Sequence, residues 1–378
     1  AVWRYQDIIE KDLAVEEVPA HALGRSNELA LAADGSLGYG GHVMRRYVKG
    51  CEGAGQCLQG CTKLRKQSTN LNYLPEVRSR GGSILSSAPV DRIVFEGKRA
   101  VGVRGVFADP ARRAAGAKFE VRARHAVIVA ASATHSPLLL ARSGVKSRAL
   151  GKYFRAHPGT GIFGVYDEPV NPTIGATQGW ASTKFRDDPG LKLETLSLPL
   201  EMVAGRWSGG GTQLVERLRD FPYAAMWVHA VRAESTGTVR AGLGGRPVVR
   251  YSLDRPDMER FRRGIRLVAD MHVAAGAKGL ILGIHGLPFM IKPNEVKLLD
   301  DAPLDPRRYV AILSHLFGGA VMGTDPSTSV VDGRGRVHGY ENLVVADASA
   351  IPSNLGVNPQ HTIMGLAMRF ADQLVAKA

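Results

Sequence analysis

Residues 315–366, HLFGGAVMGTDPSTSVVDGRGRVHGYENLVVADASAIPSNLGVNPQHTIMGL, decide how the chain is read. A histidine precedes a glycine-rich turn, and a small β-unit follows. The apolar run NLVVA (342–346), bounded by turn residues, predicts a buried strand. It ends at Asp347-Ala348-Ser349, and small residues at a strand's carboxyl end let a cofactor approach the backbone. After Gly356-Val357-Asn358-Pro359, the apolar residues Ile363, Leu366, Ala367, Phe370 and Leu374 recur at helical spacing from Thr362. Pro359 sits where helices start well. The positive end of such a helix, aimed at the pyrimidine edge of a flavin, would stabilise the anionic reduced ring. A histidine that takes a proton and an asparagine that holds an oxygen are what alcohol oxidation requires.

The order of these pieces resembles the C-terminal signature of the glucose-methanol-choline (GMC) flavoprotein oxidoreductases. That family's His-x-x-Gly-(Thr/Gly)-x-x-Met-Gly stands here as HLFGGAVMG (315–323). Its Ser-Val-Val-Asp, Arg-Val-x-Gly, Asn-Leu-x-Val-x-Asp-x-Ser and Asn-Pro-x-x-Thr-Ile segments stand at 329–332, 336–339, 342–349 and 358–363. The His-x-x-Gly-Gly variant is most similar to the cholesterol oxidase and long-chain alcohol oxidase branch. The resemblance implies a mixed α/β chain: a Rossmann-like FAD-binding domain with an antiparallel-sheet substrate domain. It implies that His315 is the base and Asn358 the hydrogen-bonding partner of the reacting oxygen. It also implies cofactor contacts at Val90, Ala131, Asp347, Ala348, Asn358, Pro359 and Thr362.

The chain has 378 residues, enough for two domains with sizeable cores. Hydrophobic residues make up 44%, and the sequence predicts no membrane span, since no run approaches the roughly 18 apolar residues one needs. No signal peptide is visible. The net charge is +14, but Lys and Arg are scattered rather than gathered in a stripe, which argues against nucleic acid. A basic surface would suit an acidic electron-transfer partner or an anionic lipid surface.

Residues 2–9 (VWRYQDII) resemble a family segment that normally follows the first half of the FAD domain. The Gly-x-Gly-x-x-Gly turn that receives a dinucleotide pyrophosphate is absent: Gly38-Tyr-Gly40 and Gly242-Leu-Gly244 lack both the third glycine and a preceding strand. The expectation is that the N-terminal part of the FAD domain lies on an upstream segment or a companion chain. Residues 1–150 then form a partial FAD-binding domain, 151–310 the substrate domain, and 311–378 the return to the FAD domain. Within the first part, KQS (66–68) and NYLP (72–75) match family motifs and imply a helix ending before Pro75. Strands are expected at 90–95 and 100–103, joined by a turn at 96–99. In the family the valine matching Val90 meets the adenine; from the sequence alone it reads as an ordinary edge-strand residue. AVIVAA (126–131) predicts a strand followed by a helix with Ser136-Pro137 at its start, and Ser132 stands where the family has glycine.

All three cysteines fall in CEGAGQCLQGC (51–61), spaced C-x5-C-x3-C. Clustered thiols between glycines can wrap a metal centre. The spacing is similar to that of iron–sulfur FAD-dependent glucose and fructose dehydrogenases, which implies a [3Fe-4S] cluster on Cys51, Cys57 and Cys61, although Thr62 replaces their proline. A small buried cysteine–glycine turn is the alternative. Zinc would want a fourth ligand, for which His42 is a poor candidate. The odd count argues against a secreted disulfide framework, which favours the cytoplasm and leaves the periplasm open.

In 151–310, short strands are expected at 162–166, 194–198, 225–230 and 248–251. A helix from Met258 to Ala275 is expected, with Met258, Phe261, Ile265, Val268, Met271 and Ala275 on one face. His157-Pro158 reads as a structural linker, and His229 and His285 as core histidines. His361 lies in the wrong place for a catalyst, and His338 reads as surface. Three functions follow. The first is FAD-dependent oxidation of a hydrophobic alcohol, with electrons passed to oxygen or to a carrier. The second is a lyase or decarboxylase on the same fold. The third is a subunit completing a partner's flavin site.

Overall fold

The structure, a computed structural model, describes residues 2–109, 111 and 114–376. Its larger core is built on a seven-stranded sheet. In order across the sheet run Gly279–Ile281, Arg155–Val165, Ala224–Val231, Leu191–Thr195, Trp180–Ser182 and His42–Val43. The seventh strand, Ile312–Phe317, shares the outer edge of Arg155–Val165 with Gly279–Ile281. Every pairing is antiparallel. The helices Arg25–Leu37 and Arg255–Ala274 back this sheet and bury Leu29, Ala30, Phe261, Ile265 and Val268 against Leu191, Leu193 and Trp227.

The long helix starts where Asp254 accepts a hydrogen bond from the Asp257 amide, an N-cap bond that satisfies an otherwise orphaned donor. Close approach of helix and sheet depends on two glycines. A Cβ on Gly264 would lie 2.3 Å from Nδ1 of His229, and one on Gly164 would lie 2.3 Å from Nδ1 of His272. Both histidines are buried, and Trp227 stacks on His272 at 3.9 Å between ring centroids.

The second core joins residues 90–150 to residues 320–350. Leu343–Val345 pairs in parallel with Val127–Val129. The helix Ser132–Arg142 and the meander Val90–Glu96, Arg99–Asp109 and Ala114–Arg122 cover this pair. The parallel pair stops at two strands, and Ile128 at its centre is 53% exposed although its neighbours Val127 and Val129 are buried. Among the described residues no helix is long and apolar enough to cross a membrane.

The mixed α/β class with an antiparallel sheet is as expected, and several local readings change. The first helix near Pro75 is Tyr73–Ser79, with the proline in its first turn, where its missing N–H is not needed. The helix expected to start at Ser136-Pro137 begins at Ser132, and Pro137 lies inside it, packed on Gly319. The strand expected at 162–166 starts at Arg155, so His157 belongs to it rather than to a linker. His285 is exposed, whereas His229 is a core residue as read. On the C-terminal helix Gln360–Val375 only Phe370 of the expected stripe is buried; Ile363, Leu366, Ala367 and Leu374 are half-buried.

His157, His229 and His272 are each pushed down to about 3, burial being the chief cause. Between that value and the ordinary 6.5, the unfolded chain binds protons that the folded chain does not. Their contribution to stability is therefore present above pH 6.5 and drains away as the pH falls toward 3. Neither ring nitrogen of His229 has a partner. His229→Leu should keep the melting temperature at pH 8 and flatten its decline between pH 6.5 and 4. Thermal melts across pH check this; an unchanged slope would contradict it.

Candidate active site

His315 enters the site from the strand Ile312–Phe317, directly across from His157 on Arg155–Val165. A bulge between Leu313 and His315 sets that register. The rings stack at 5.3 Å with Nδ1 of each 3.1 Å apart. One Nδ1 must donate and the other accept. A base working through Nε2 of His315 needs its proton on Nδ1, so His157 accepts there. Nε2 of His157 then carries the remaining N–H, and it is buried without a partner. His315 itself is held below its ordinary value: burial is the main cause, Glu194 opposes it and Lys192 adds to it. Near neutral pH the ring is therefore neutral and able to accept a proton.

The turn after the histidine is fixed by two glycines. A Cβ on Gly318 would sit 1.9 Å from the carbonyl oxygen of Tyr153, and one on Gly319 2.6 Å from Pro137. The backbone then bonds to the 348–350 segment, Gly318 N to Ala348 O at 3.2 Å and Ala320 N to Ser349 O at 3.0 Å.

Asn358 arrives from the other side. Its turn is anchored by Asn354, whose buried Nδ2 donates to the carbonyls of Ala156, Val231 and Ala233 and whose Oδ1 accepts from Gly356 N. Asn358 Oδ1 accepts from Lys192 Nζ at 2.5 Å, and the same ammonium pairs with Glu194 at 2.6 Å. His315 and Asn358 thus meet at one buried ion pair on the strand Leu191–Thr195. Desolvating two charges costs several kcal/mol per ion, so the pair is an unusual feature for a sheet interior. The sequence reading missed Lys192, Glu194, His157 and Asn354. The alternation of Leu191 and Leu193 with Lys192 and Glu194 was the available signal for the first two.

The remaining expected residues fall into two places. Val90 and Ala131 line one largely apolar cleft of about 790 Å³, together with Val127, Ile128, Val129 and His135. Ser132, at the expected glycine position, adopts φ +86, a region that L residues rarely enter. Asp347 clamps this end of the sheet: Ser132 N (2.9 Å) and Ser136 Oγ donate to one oxygen, and Ser349 N and Oγ (2.8 and 2.5 Å) to the other. Ala348 follows at the end of the Leu343–Val345 strand, and Pro359 and Thr362 lie at the start of the C-terminal helix, which has no side-chain cap. An apolar cleft that follows the strand Val127–Val129 to the small residues Ala130 and Ala131 at its carboxyl end fits a dinucleotide such as FAD.

The cysteines line a second, narrow cavity with Lys63, Arg65 and Lys66. Arg46 donates toward the sulfurs of Cys51 at 3.3 Å and Cys57 at 3.9 Å. Burial works against ionisation of Cys61, but the backbone amides of Lys66, Arg65 and Lys63 outweigh it and hold the thiol below its ordinary value. Among the described residues no group of three or more His, Cys, Asp or Glu side chains is placed to hold a metal ion. The arrangement therefore does not fit a cluster. His42 lies elsewhere, on the strand pairing with Ala181 and Trp180. His361 bonds the Tyr47 hydroxyl at 2.8 Å, and His338 is half-buried against Ser329 at 3.0 Å.

Models of the GMC oxidoreductase family match residues 1–159 and 233–367. An uncharacterised GMC-type oxidoreductase of Mycobacterium tuberculosis is 37% identical over 376 residues, covering 99% of this chain and 58% of that protein. A long-chain-alcohol oxidase of Arabidopsis thaliana is 25% identical over 357 residues, covering 85% of this chain and 45% of the oxidase. The chain thus spans about half the length of these relatives. Among solved structures, pyridoxine 4-oxidase from Mesorbium loti superposes with a TM-score of 0.70 at 20% identity, over 94% of this chain and 71% of that one. With its matched segments, shared fold and the order of its site residues, this chain belongs to the GMC oxidoreductase family.

Proposed function

We propose that this chain carries the proton-accepting and substrate-binding side of an FAD-dependent alcohol-oxidising site. The observation that carries the reading is the convergence of a neutral, half-buried His315 and Asn358 on the Lys192–Glu194 pair. Bound flavin supplies the hydride acceptor at N5. The protein's part is to take the hydroxyl proton on Nε2 of His315 and to hold the substrate oxygen with Nδ2 of Asn358. His157 keeps the His315 proton on Nδ1, so that Nε2 stays free. Retention of both the base and the amide favours alcohol oxidation over a lyase or decarboxylase.

The nucleotide end of the cofactor would lie along Val90 and Ala131, with Ala348, Pro359 and Thr362 near the flavin and Asp347 tying Ser132 and Ser136 to Ser349. The two-stranded parallel sheet and its exposed Ile128 support a further reading, that polypeptide outside these residues completes the cofactor site. An upstream segment or a companion chain bearing the glycine-rich turn would do so. A [3Fe-4S] group at Cys51, Cys57 and Cys61 would need the thiols to close on one centre, so no electron step is derived through them.

A cleft of about 420 Å³ reaches Lys192 and mixes Val43, Met44 and Ala181 with Glu17, His42 and Arg45. A hydrophobic alcohol with one polar face suits that lining, and a panel spanning aliphatic, aromatic and sterol alcohols tests it.

Two outcomes are expected of the natively isolated protein with any co-purifying chain. His315→Gln should slow anaerobic flavin reduction by about 10²–10⁴-fold, the usual contribution of a positioned base, while leaving flavin content intact. A rate within threefold of wild type would remove His315 from the mechanism. The wild-type reduction rate should also fall as the pH drops through the His315 value, because the protonated ring cannot accept. That value lies below 6.5, so the limb should appear on the acid side of 6.5. A limb well above that pH would contradict the neutral-base assignment.

A further inference from the structure

Lys192 and Glu194 are 6% and 7% exposed, and they occupy one face of a strand whose other face, Leu191 and Leu193, fills the main core. A buried ion pair is weak evidence for stability, because well-packed apolar residues usually serve a sheet as well or better. What distinguishes this pair is its third member. The Lys192 ammonium, with Glu194 on one side, reaches Asn358 on the other.

An ammonium only donates. The Asn358 atom facing it is therefore the carbonyl oxygen, which settles which way the carboxamide points. Its Nδ2 is left outward, and among the described residues no acceptor takes it. Asn358 is exposed and sits in a turn just before Pro359, so its own backbone does not fix its side chain. A neutral partner would leave the two amide orientations closer in energy. A charged donor makes one of them far stronger, since hydrogen bonds to ionised groups are roughly twice as strong as neutral ones. Glu194 balances the charge of Lys192, so the cation stands beside His315 with its counter-ion in place.

We infer that Lys192 is a positioning residue of the oxidation site: backed by Glu194, it clamps the Asn358 carboxamide so that Nδ2 is presented to the substrate oxygen. This rests on the alcohol-oxidising reading above, but the clamp itself can be measured without turnover. His315 is faced by His157, Lys192 and Glu194, so changes at Lys192 are made with the charge balance kept.

The test compares two double variants, neither of which leaves a lone buried charge. Lys192→Met with Glu194→Gln removes the donor. Lys192→Gln with Glu194→Gln keeps a neutral donor. The first readout is the side-chain amide resonance pair of Asn358 in the flavin-loaded protein with asparagine-selective ¹⁵N labelling, assigned by its loss in Asn358→Ala. In wild type it should be rigid, with well-dispersed amide shifts. In the Met/Gln variant its shifts should move and its ¹⁵N relaxation should report a mobile side chain, with the Gln/Gln variant between. The second readout is anaerobic flavin reduction. The limiting rate should fall at least tenfold in the Met/Gln variant while the apparent substrate affinity changes less than threefold, and the Gln/Gln variant should recover part of the rate. An Asn358 resonance unchanged in the folded, flavin-loaded Met/Gln variant overturns the clamp, as does a wild-type limiting rate in that variant. If the resonance depends on Lys192 but no alcohol reduces the wild-type flavin, the clamp stands and the alcohol-oxidising reading fails.

Discussion

The pairing of Ile312–Phe317 with Arg155–Val165 is the constraint on which the site depends. It puts His315 opposite His157. It also delivers the chain to Gly318 and Gly319, where only glycine fits beneath Tyr153 and against Pro137. From there the backbone bonds to residues 348–350, the end of the other core's parallel strand. One short strand of the main sheet therefore leads directly into the turn bonded to the second core, and His315 stands on it. Asn354 makes the complementary connection, tying the Asn358 turn to Ala156, Val231 and Ala233 in the main sheet. The two groups of the proposed chemistry are held from opposite sides by the same sheet.

The polar groups inside this molecule fall into two kinds. His229 and His272 are enclosed by packing, stay neutral and contribute to how stability depends on pH. His315, His157, Lys192 and Glu194 form a connected set that reaches a cleft. Burial keeps His315 neutral beside the Lys192–Glu194 pair, with Lys192 adding to that effect and Glu194 opposing it. The expense of burying these groups finds its reason in the orientation they impose on two side chains, not in the stability of the sheet.

Much of this was legible from residues 315–366, because a glycine turn, a strand end and a proline-led helix each impose local geometry whatever surrounds them. The strand ending before Asp347 and the helix after Pro359 could be placed for that reason, whereas the roles expected of His315, Asn358 and Asp347 came from the family resemblance. His157 could not be placed, since its meaning comes from a partner 158 residues away across a strand pair. Lys192 and Glu194 alternate with leucines in a pattern that ordinarily marks a strand with one solvent-facing face, and only the burial in the folded chain shows that both faces are covered. Pro75 and Pro137 misled because a proline reads as a boundary, whereas the first sits in a first turn and the second packs against Gly319. The cysteine spacing indicated proximity, and the three thiols do share a cavity, but spacing carries no information on whether sulfurs converge on one point.

His315 and Asn358 are proposed to serve flavin-dependent oxidation of an alcohol. The most direct test is the visible spectrum of the natively isolated protein, with any companion chain, recorded before and after anaerobic addition of alcohols from several structural classes. Flavin bands should bleach with at least one alcohol, with stoichiometric formation of the aldehyde or ketone. Bound flavin that no alcohol bleaches, while a chemical reductant bleaches it fully, would contradict this role.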